Sequence, residues 1–422
     1  MAEHPALILR ARTLLPIAQP PIDDGAVLVW GNRIRSVCRW ADARSSPRGR
    51  VCDLGEVIVL PGLVNAHCHL DYTDMAGLLP PPKTFTDWIH LMLTAKAQWG
   101  YCEYAQSWLH GAHMLVRTGT TTVADIEAVP ELLPEVWEST PLRVHSFLEM
   151  TGIRARRDPK AILQEAVNTA DALFHPRSRA VLSPHAPYST MAELMRASVQ
   201  VSRERGWPLS THLAESTHEF EMFMHGRGSM YEWLKRNQRN MSDCGIGSPV
   251  SHLARHKILG NHLIAAHVNT LARGDATLLG REGVHVAHCP RSHVYFQHPP
   301  FLRKRLVNAG VNVCLGTDSL ATVRKQGRQK LELNLFEEMR ALMARDKSVS
   351  AAEVLRMATI NGARALGQGG QIGELSEKAF ADLIAVSSTA AKTDAYEAVI
   401  NHTGPVAASM IEGRWVIPPR TA

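Results

Sequence analysis

Eight short apolar runs, most followed by a stretch with helical spacing, fill the middle of this chain and leave few folds open to it. The first leads through Val57–Leu60 into Pro61-Gly62-Leu63-Val64-Asn65-Ala66-His67-Cys68-His69-Leu70. The others are Thr121–Ile126, Leu142–Phe147, Arg179–Ser183, Pro208–His212, Leu263–His267, Val284–His288 and Val311–Gly316. Helical patterns lie between and after them, for example over Pro159–Leu173, Met191–Arg205 and Leu331–Arg345. Repeated β-then-α units build a parallel sheet, and eight of them predict an α/β fold of the (β/α)8 TIM-barrel type. A doubly wound open sheet is the competitor. It usually has fewer strands and a Gly-rich first turn, and no G-x-G-x-x-G follows a strand here.

Both ends of the chain are β-rich. Ala6–Arg10, Gly25–Trp30 and Arg33–Val37 are matched by Ala381–Val386, Ala407–Ile411 and Arg414–Ile417. They predict a small β-sandwich made of residues 1–61 and 372–422 beside a barrel of residues 62–371. Hydrophobic residues make up 45% and charged residues 20%, the balance of an ordinary globular chain. The net charge of +6 is spread without a long Lys/Arg run, which argues against nucleic acid as a partner. No apolar stretch is long enough to span a membrane. The seven cysteines form no C-x-x-C pair and no signal peptide precedes them, so reduced thiols and a cytoplasmic location are expected.

Polar residues at the carboxyl ends of barrel strands converge on one site. His67 and His69 lie two apart, and residues i and i+2 of an extended strand face the same side, so both imidazoles can aim at one metal ion. The fourth run ends at His185, the fifth at His212 with Glu215 three residues on, the sixth at His267 and the eighth at Asp318. A single strand-end histidine is more often structural than ligating. Five strands ending in such groups make coincidence a poor account.

The stretches PGLVNAHCHL (61–70), THLAES (211–216), HCPRSH (288–293), GTDSL (316–320) and Ala358–Gly367 resemble the amidohydrolase superfamily. The resemblance is strongest to its branch of guanine, cytosine, adenosyl-type and aminodeoxyfutalosine deaminases and triazine chlorohydrolases, and it covers nearly the whole chain. It implies metal ligation by His67, His69, His212 and Asp318, and catalytic roles for Glu215, His267 and Asp318. The residue types agree. Three neutral imidazoles and a carboxylate suit a borderline divalent ion, zinc first and ferrous iron as the alternative. Such an ion lowers the pKa of bound water from about 15.7 to about 7. Glu215 is placed to carry that water's proton to a ring nitrogen and then to a departing amine. Two-metal members usually bridge their ions through a lysine or acid of the fourth strand. Here that strand ends in Pro184-His185-Ala186, so one ion per chain is expected.

The expected reaction is hydrolytic deamination of an aminated heteroaromatic ring (a purine, nucleoside, pterin or similar) to the oxo product and ammonia. A chlorohydrolase or amidase using the same site, and an inactive assembly protein, are the rival readings. By resemblance, His185 contacts substrate and Trp88 covers it; Arg291 of the HCPRSH motif joins these candidates. Two positions depart from the adenosyl-type pattern: Ala97 stands where a ribose-binding Glu is usual, and His293 where Asn is usual. Basic clusters after the third and eighth strands, Arg154, Arg156 and Arg157 with Arg324, Lys325, Arg328 and Lys330, suggest an anionic group on the substrate. Residues 219–257 form a long insertion, read as a lid or an oligomer contact, and a homodimer is expected.

Overall fold

The computed structural model describes residues 6–43, 49–80, 82–152, 157–325, 330–389 and 394–419. Eight parallel strands lie side by side in chain order: Leu63–Cys68, Thr120–Glu127, Arg143–Met150, Arg179–Pro184, Leu209–Leu213, Leu263–His267, His285–His288 and Asn312–Leu315. The backbone amides of Thr317 and Asp318 donate to the carbonyl of His67 at 2.9 and 3.1 Å, which joins the last strand's exit to the first. This closure needs a glycine before it, because a Cβ on Gly316 would lie 2.6 Å from the His67 carbonyl oxygen. The expected TIM-type barrel is therefore the observed fold.

The motif Ala358–Gly367 supplies the plug of this barrel. Its helix, Ile360–Ala365, is fixed by Asn312 Nδ2 donating to the Asn361 carbonyl, and Arg179 donates to the Leu366 carbonyl just beyond it. Asn312 and Arg179 open the eighth and fourth strands, so the helix covers the amino-terminal end and leaves the carboxyl end free. Ala66, Ala124, Phe147, Val181, Ile264 and Ala287 pack above it as an inner core.

The chain ends form one mixed, eight-stranded sheet separate from the barrel. Val57–Pro61 pairs antiparallel with Leu383–Ser387 and so ties the two ends together. The run Val57–Leu60, which leads into the first barrel strand, itself belongs to this sheet and lies before the expected boundary between residues 61 and 62. The chain crosses to the barrel at Gly62, where a Cβ would sit 2.1 Å from Thr121 Oγ1. Arg143, at the start of the third barrel strand, reaches the terminal sheet through Asp382 at 3.2 Å and Glu412 at 3.0 Å. No helix among the described residues is long and apolar enough to cross a membrane.

The expected helices form at Pro159–Ala172, Ala192–Arg205 and Leu335–Arg345. The last starts four residues late because Asn334 caps it, accepting from the Phe336 amide at 2.9 Å. The insertion folds as helices Thr217–His225, Ser229–Arg236 and Pro249–Arg255. Arg239, with a fully buried side chain, pairs with Asp243 and donates to the carbonyls of Pro187 and Tyr188 at 3.1 and 3.0 Å. The insertion thereby grips the loop that follows the fourth strand, and Trp233 from it faces the cavity described below.

Candidate active site

At the carboxyl end of the barrel, His67, His69 and His212 bring their ligand atoms within 4.8 Å of one another, all three residues buried. His69 Nε2 and His212 Nε2 lie 3.3 Å apart. The His212 Nδ1 proton points to the His185 carbonyl at 2.9 Å, so its Nε2 offers a lone pair. Both nitrogens of His67 are buried without a hydrogen-bond partner. Orphaned buried polar atoms are rare and call for a partner. A divalent cation between these imidazoles supplies one, so the donor set fits the ion that the sequence implies. Burial first, and neighbouring imidazoles second, hold His67 and His69 well below the usual histidine pKa, so both stay neutral as ligands must.

Asp318 faces this group, with Oδ1 3.7 Å from His69 Nε2. Its other oxygen accepts from Ser292 Oγ at 2.6 Å and Thr322 Oγ1 at 3.2 Å, and the Ser319 amide donates to Oδ1 at 2.8 Å. Ser292 lies in the HCPRSH motif, whose recognisable function here is to orient the carboxylate. Asp318, His267, Val268 and Ala214 all have left-handed φ values, 55°, 73°, 51° and 49°. Such conformations cost non-glycine residues of order 1–3 kcal/mol and gather at functional sites.

Glu215 sits beside the histidines, its Oε1 3.7 Å from His267 Nε2. Burial, then the charges of Asp318 and Glu219, raise its pKa well above the usual carboxylate range. The strained turn that presents it is pinned by Glu219, whose carboxylate accepts from the amides of Ala214 at 3.0 Å and Glu215 at 2.8 Å. Asn269 Nδ2 donates to the Glu215 carbonyl at 3.0 Å, and His293 Nδ1 lies 3.0 Å from Asn269 Oδ1. The unusual His293 thus stands behind Glu215 as a support and is absent from the cavity wall.

A cavity of about 330 Å3 opens over these groups. His69, Trp88, His185, His212, Glu215, His267 and Asp318 all line it, so seven of the sequence candidates come together. His185 Nδ1 contacts Ser189 Oγ at 2.5 Å, and burial lowers its pKa to about 4. Trp88 comes from the helix Phe85–Lys96, which also turns Phe85, Ile89 and Met92 toward the cavity.

Of the candidate arginines, Arg291 is placed away from the cavity. Arg291 is bound to the carboxylates of Glu337 and Glu338 and to the Glu332 carbonyl, and it does not line the cavity. Arg154 and Arg156, with Arg328, lie outside the described residues. Arg157 is exposed and paired with Glu165, and Arg324 is exposed. Among the described residues, the lysine or arginine that faces the cavity is Lys96, whose Nζ donates to the Tyr72 hydroxyl at 2.5 Å. Sequence reading missed it, along with Glu149 and Glu219. Glu149 lies at the carboxyl end of the third strand, where the rule applied to five other strands also points. Lys96 and Glu219 carry no such signal, being helical residues brought in by packing.

A TIM barrel that gathers imidazoles and carboxylates at its strand ends has the form of a metal-dependent hydrolase. The profile of the amidohydrolase family matches residues 58–416, and the chain belongs to that family. A 5-methylthioadenosine/S-adenosylhomocysteine deaminase of Syntrophobacter fumaroxidans is 32% identical over 392 residues, covering 86% of this chain and 80% of its own. A 5'-deoxyadenosine deaminase of Methanoregula boonei is 30% identical over 380 residues, covering 86% and 78%. Of solved structures, Helicobacter pylori aminofutalosine deaminase in complex with methylthio-coformycin matches with a TM-score of 0.86 at 20% identity, over 97% of this chain and 100% of that one. A zinc-bound adenosine deaminase of Xanthomonas campestris matches at 0.82 and 24% identity, over 98% and 93%. At these identities the two structures speak for the fold.

Proposed function

We propose that this protein is a hydrolytic deaminase of an adenosine-type nucleoside whose 5' end is small and uncharged. One observation carries the reading: a buried, high-pKa Glu215 stands beside the three-histidine group, on a cavity walled by Phe85, Trp88, Ile89, Met92 and Trp233. The relatives, named as 5-methylthioadenosine/S-adenosylhomocysteine and 5'-deoxyadenosine deaminases, support an adenosine-type nucleoside, and the apolar wall is what favours the small, uncharged 5' end among these. His67, His69, His212 and Asp318 would hold one divalent ion, with zinc the best fit to the donors. When bound, that ion supplies Lewis acidity and makes water acidic enough to attack at neutral pH. Glu215 would accept one proton of the attacking water and hand it to the ring nitrogen; it would then take the remaining hydroxyl proton of the tetrahedral adduct and pass it to the amine, so that the C–N bond breaks, the carbonyl forms and ammonia leaves. His267, neutral because burial and the adjacent imidazoles depress its pKa, can hold the attacking water by a hydrogen bond. Chloride needs no proton to depart, so a proton carrier at this position favours deamination over dechlorination.

Ammonia release from a series of adenosines tests the substrate class. 5'-Methylthioadenosine and 5'-deoxyadenosine are expected to exceed adenosine 5'-phosphate at least about tenfold in kcat/KM, since burying even part of the apolar group is worth about 1.5 kcal/mol. Trp88→Ala should raise KM for the first two by a similar factor. Equal turnover of the phosphate would remove the apolar 5' end, and no ammonia from any adenosine would remove the nucleoside. The reading also takes the enzyme as a cytoplasmic homodimer, and light scattering that gives a monomer mass would strike out the dimer.

A further inference from the structure

Glu149 is the one acidic side chain of the cavity wall that the mechanism leaves without a task; Glu215 and Asp318 have theirs. It is the penultimate residue of the third barrel strand, with its side chain only 13% exposed. Its Oε1 lies 3.7 Å from His185 Nε2, beyond hydrogen-bond range. Among the described residues no donor is hydrogen-bonded to its carboxylate, and Lys96, the cation on the same wall, spends its short contact on the Tyr72 hydroxyl. Burial by itself would raise the Glu149 pKa; His185, Lys96, His69 and His212 together outweigh it and hold the value down at about 2.

A buried ionised carboxylate without donors is costly, and it becomes favourable when a ligand brings them. The gap to His185 narrows the choice. No heavy atom fits on the line between two atoms 3.7 Å apart, so a bridging group approaches from the cavity side, where it donates to Glu149 and, with the His185 proton on Nε2, also accepts from the imidazole. A hydroxyl does both, whereas a ring amine only donates. Resting on the nucleoside reading above, we propose that Glu149 is a specificity-determining residue that accepts hydrogen bonds from the sugar hydroxyls of the substrate. Glu149 then separates ribonucleosides from deoxynucleosides, while the apolar wall reads the 5' end.

The test compares adenosine, 2'-deoxyadenosine, 3'-deoxyadenosine and 2',3'-dideoxyadenosine on the wild type and on Glu149→Gln. Losing a hydrogen bond to a charged group should lower kcat/KM for the dideoxy compound about ten- to a hundredfold in the wild type. Glu149→Gln should lower adenosine by a similar factor and change the dideoxy compound little. Equal wild-type rates on all four compounds would overturn the proposal even if the variant failed to fold. A variant loss of the same size on adenosine and on the dideoxy compound would also overturn it, because Glu149 would then act on the ring or on His185. Failure of the nucleoside reading looks different, since none of the four would release ammonia.

Discussion

Glu215→Gln is expected to keep its metal and its fold yet lose at least about 10²-fold in kcat, the usual scale for a general acid–base group. Glutamine has nearly the same shape but cannot carry a proton. The carboxylate stands outside the three-histidine group, 3.7 Å from His267 Nε2, so the substitution leaves the ligands in place. Its supports are backbone contacts, from Glu219 to the Ala214 and Glu215 amides and from Asn269 to the Glu215 carbonyl, and these survive the change of side chain. The loss should therefore fall on kcat with little effect on KM. Full activity in Glu215→Gln, with metal content unchanged, would take Glu215 out of the chemistry.

His67→Ala is expected to lose the ion and all measurable activity. Elemental analysis of the wild type should give about one divalent ion per chain. Among the described residues, His67, His69 and His212 are the one group of three whose ligand atoms come together, and the fourth strand offers His185 rather than a bridging lysine. Both ring nitrogens of His67 are buried and unpartnered, so stripping the ion leaves unmet donors and acceptors in the barrel's interior. Chelation should accordingly lower the melting temperature as well as the rate, because an ion that binds only the folded chain stabilises it by mass action. Two tightly held ions per chain, or an active His67→Ala protein, would overturn the single-ion site.

The barrel was legible because strands buried on both faces read as unbroken apolar runs, and eight of them recur between helical patterns. The metal-facing histidines were legible because strand ends in this architecture share one face, so position along the chain translates into position in space. Glu215 followed from its place three residues beyond His212. The pairing partner of Val57–Leu60 was not legible, since that run is as apolar as a barrel strand and its composition names no neighbour. Its assignment to the terminal sheet rests on pairing with Leu383–Ser387, more than three hundred residues away.

Side chains that reach the cavity from helices and loops were the harder part. Arg291 and Arg157 have the charge that an anionic ligand would want, and the sequence gives no sign that Glu337, Glu338 and Glu165 already satisfy it. Lys96 looks like one more basic residue near a helix end, yet packing of that helix across the barrel turns it inward with Trp88. By itself the sequence determined the barrel and pointed to the histidines and Glu215 that the structure brings together at the cavity, because periodicity and strand-end position are local properties of a chain. The tertiary structure alone decided which charges are spent in ion pairs and which, like Glu149 and Lys96, face the cavity, because charge neutralisation depends on partners distant in sequence.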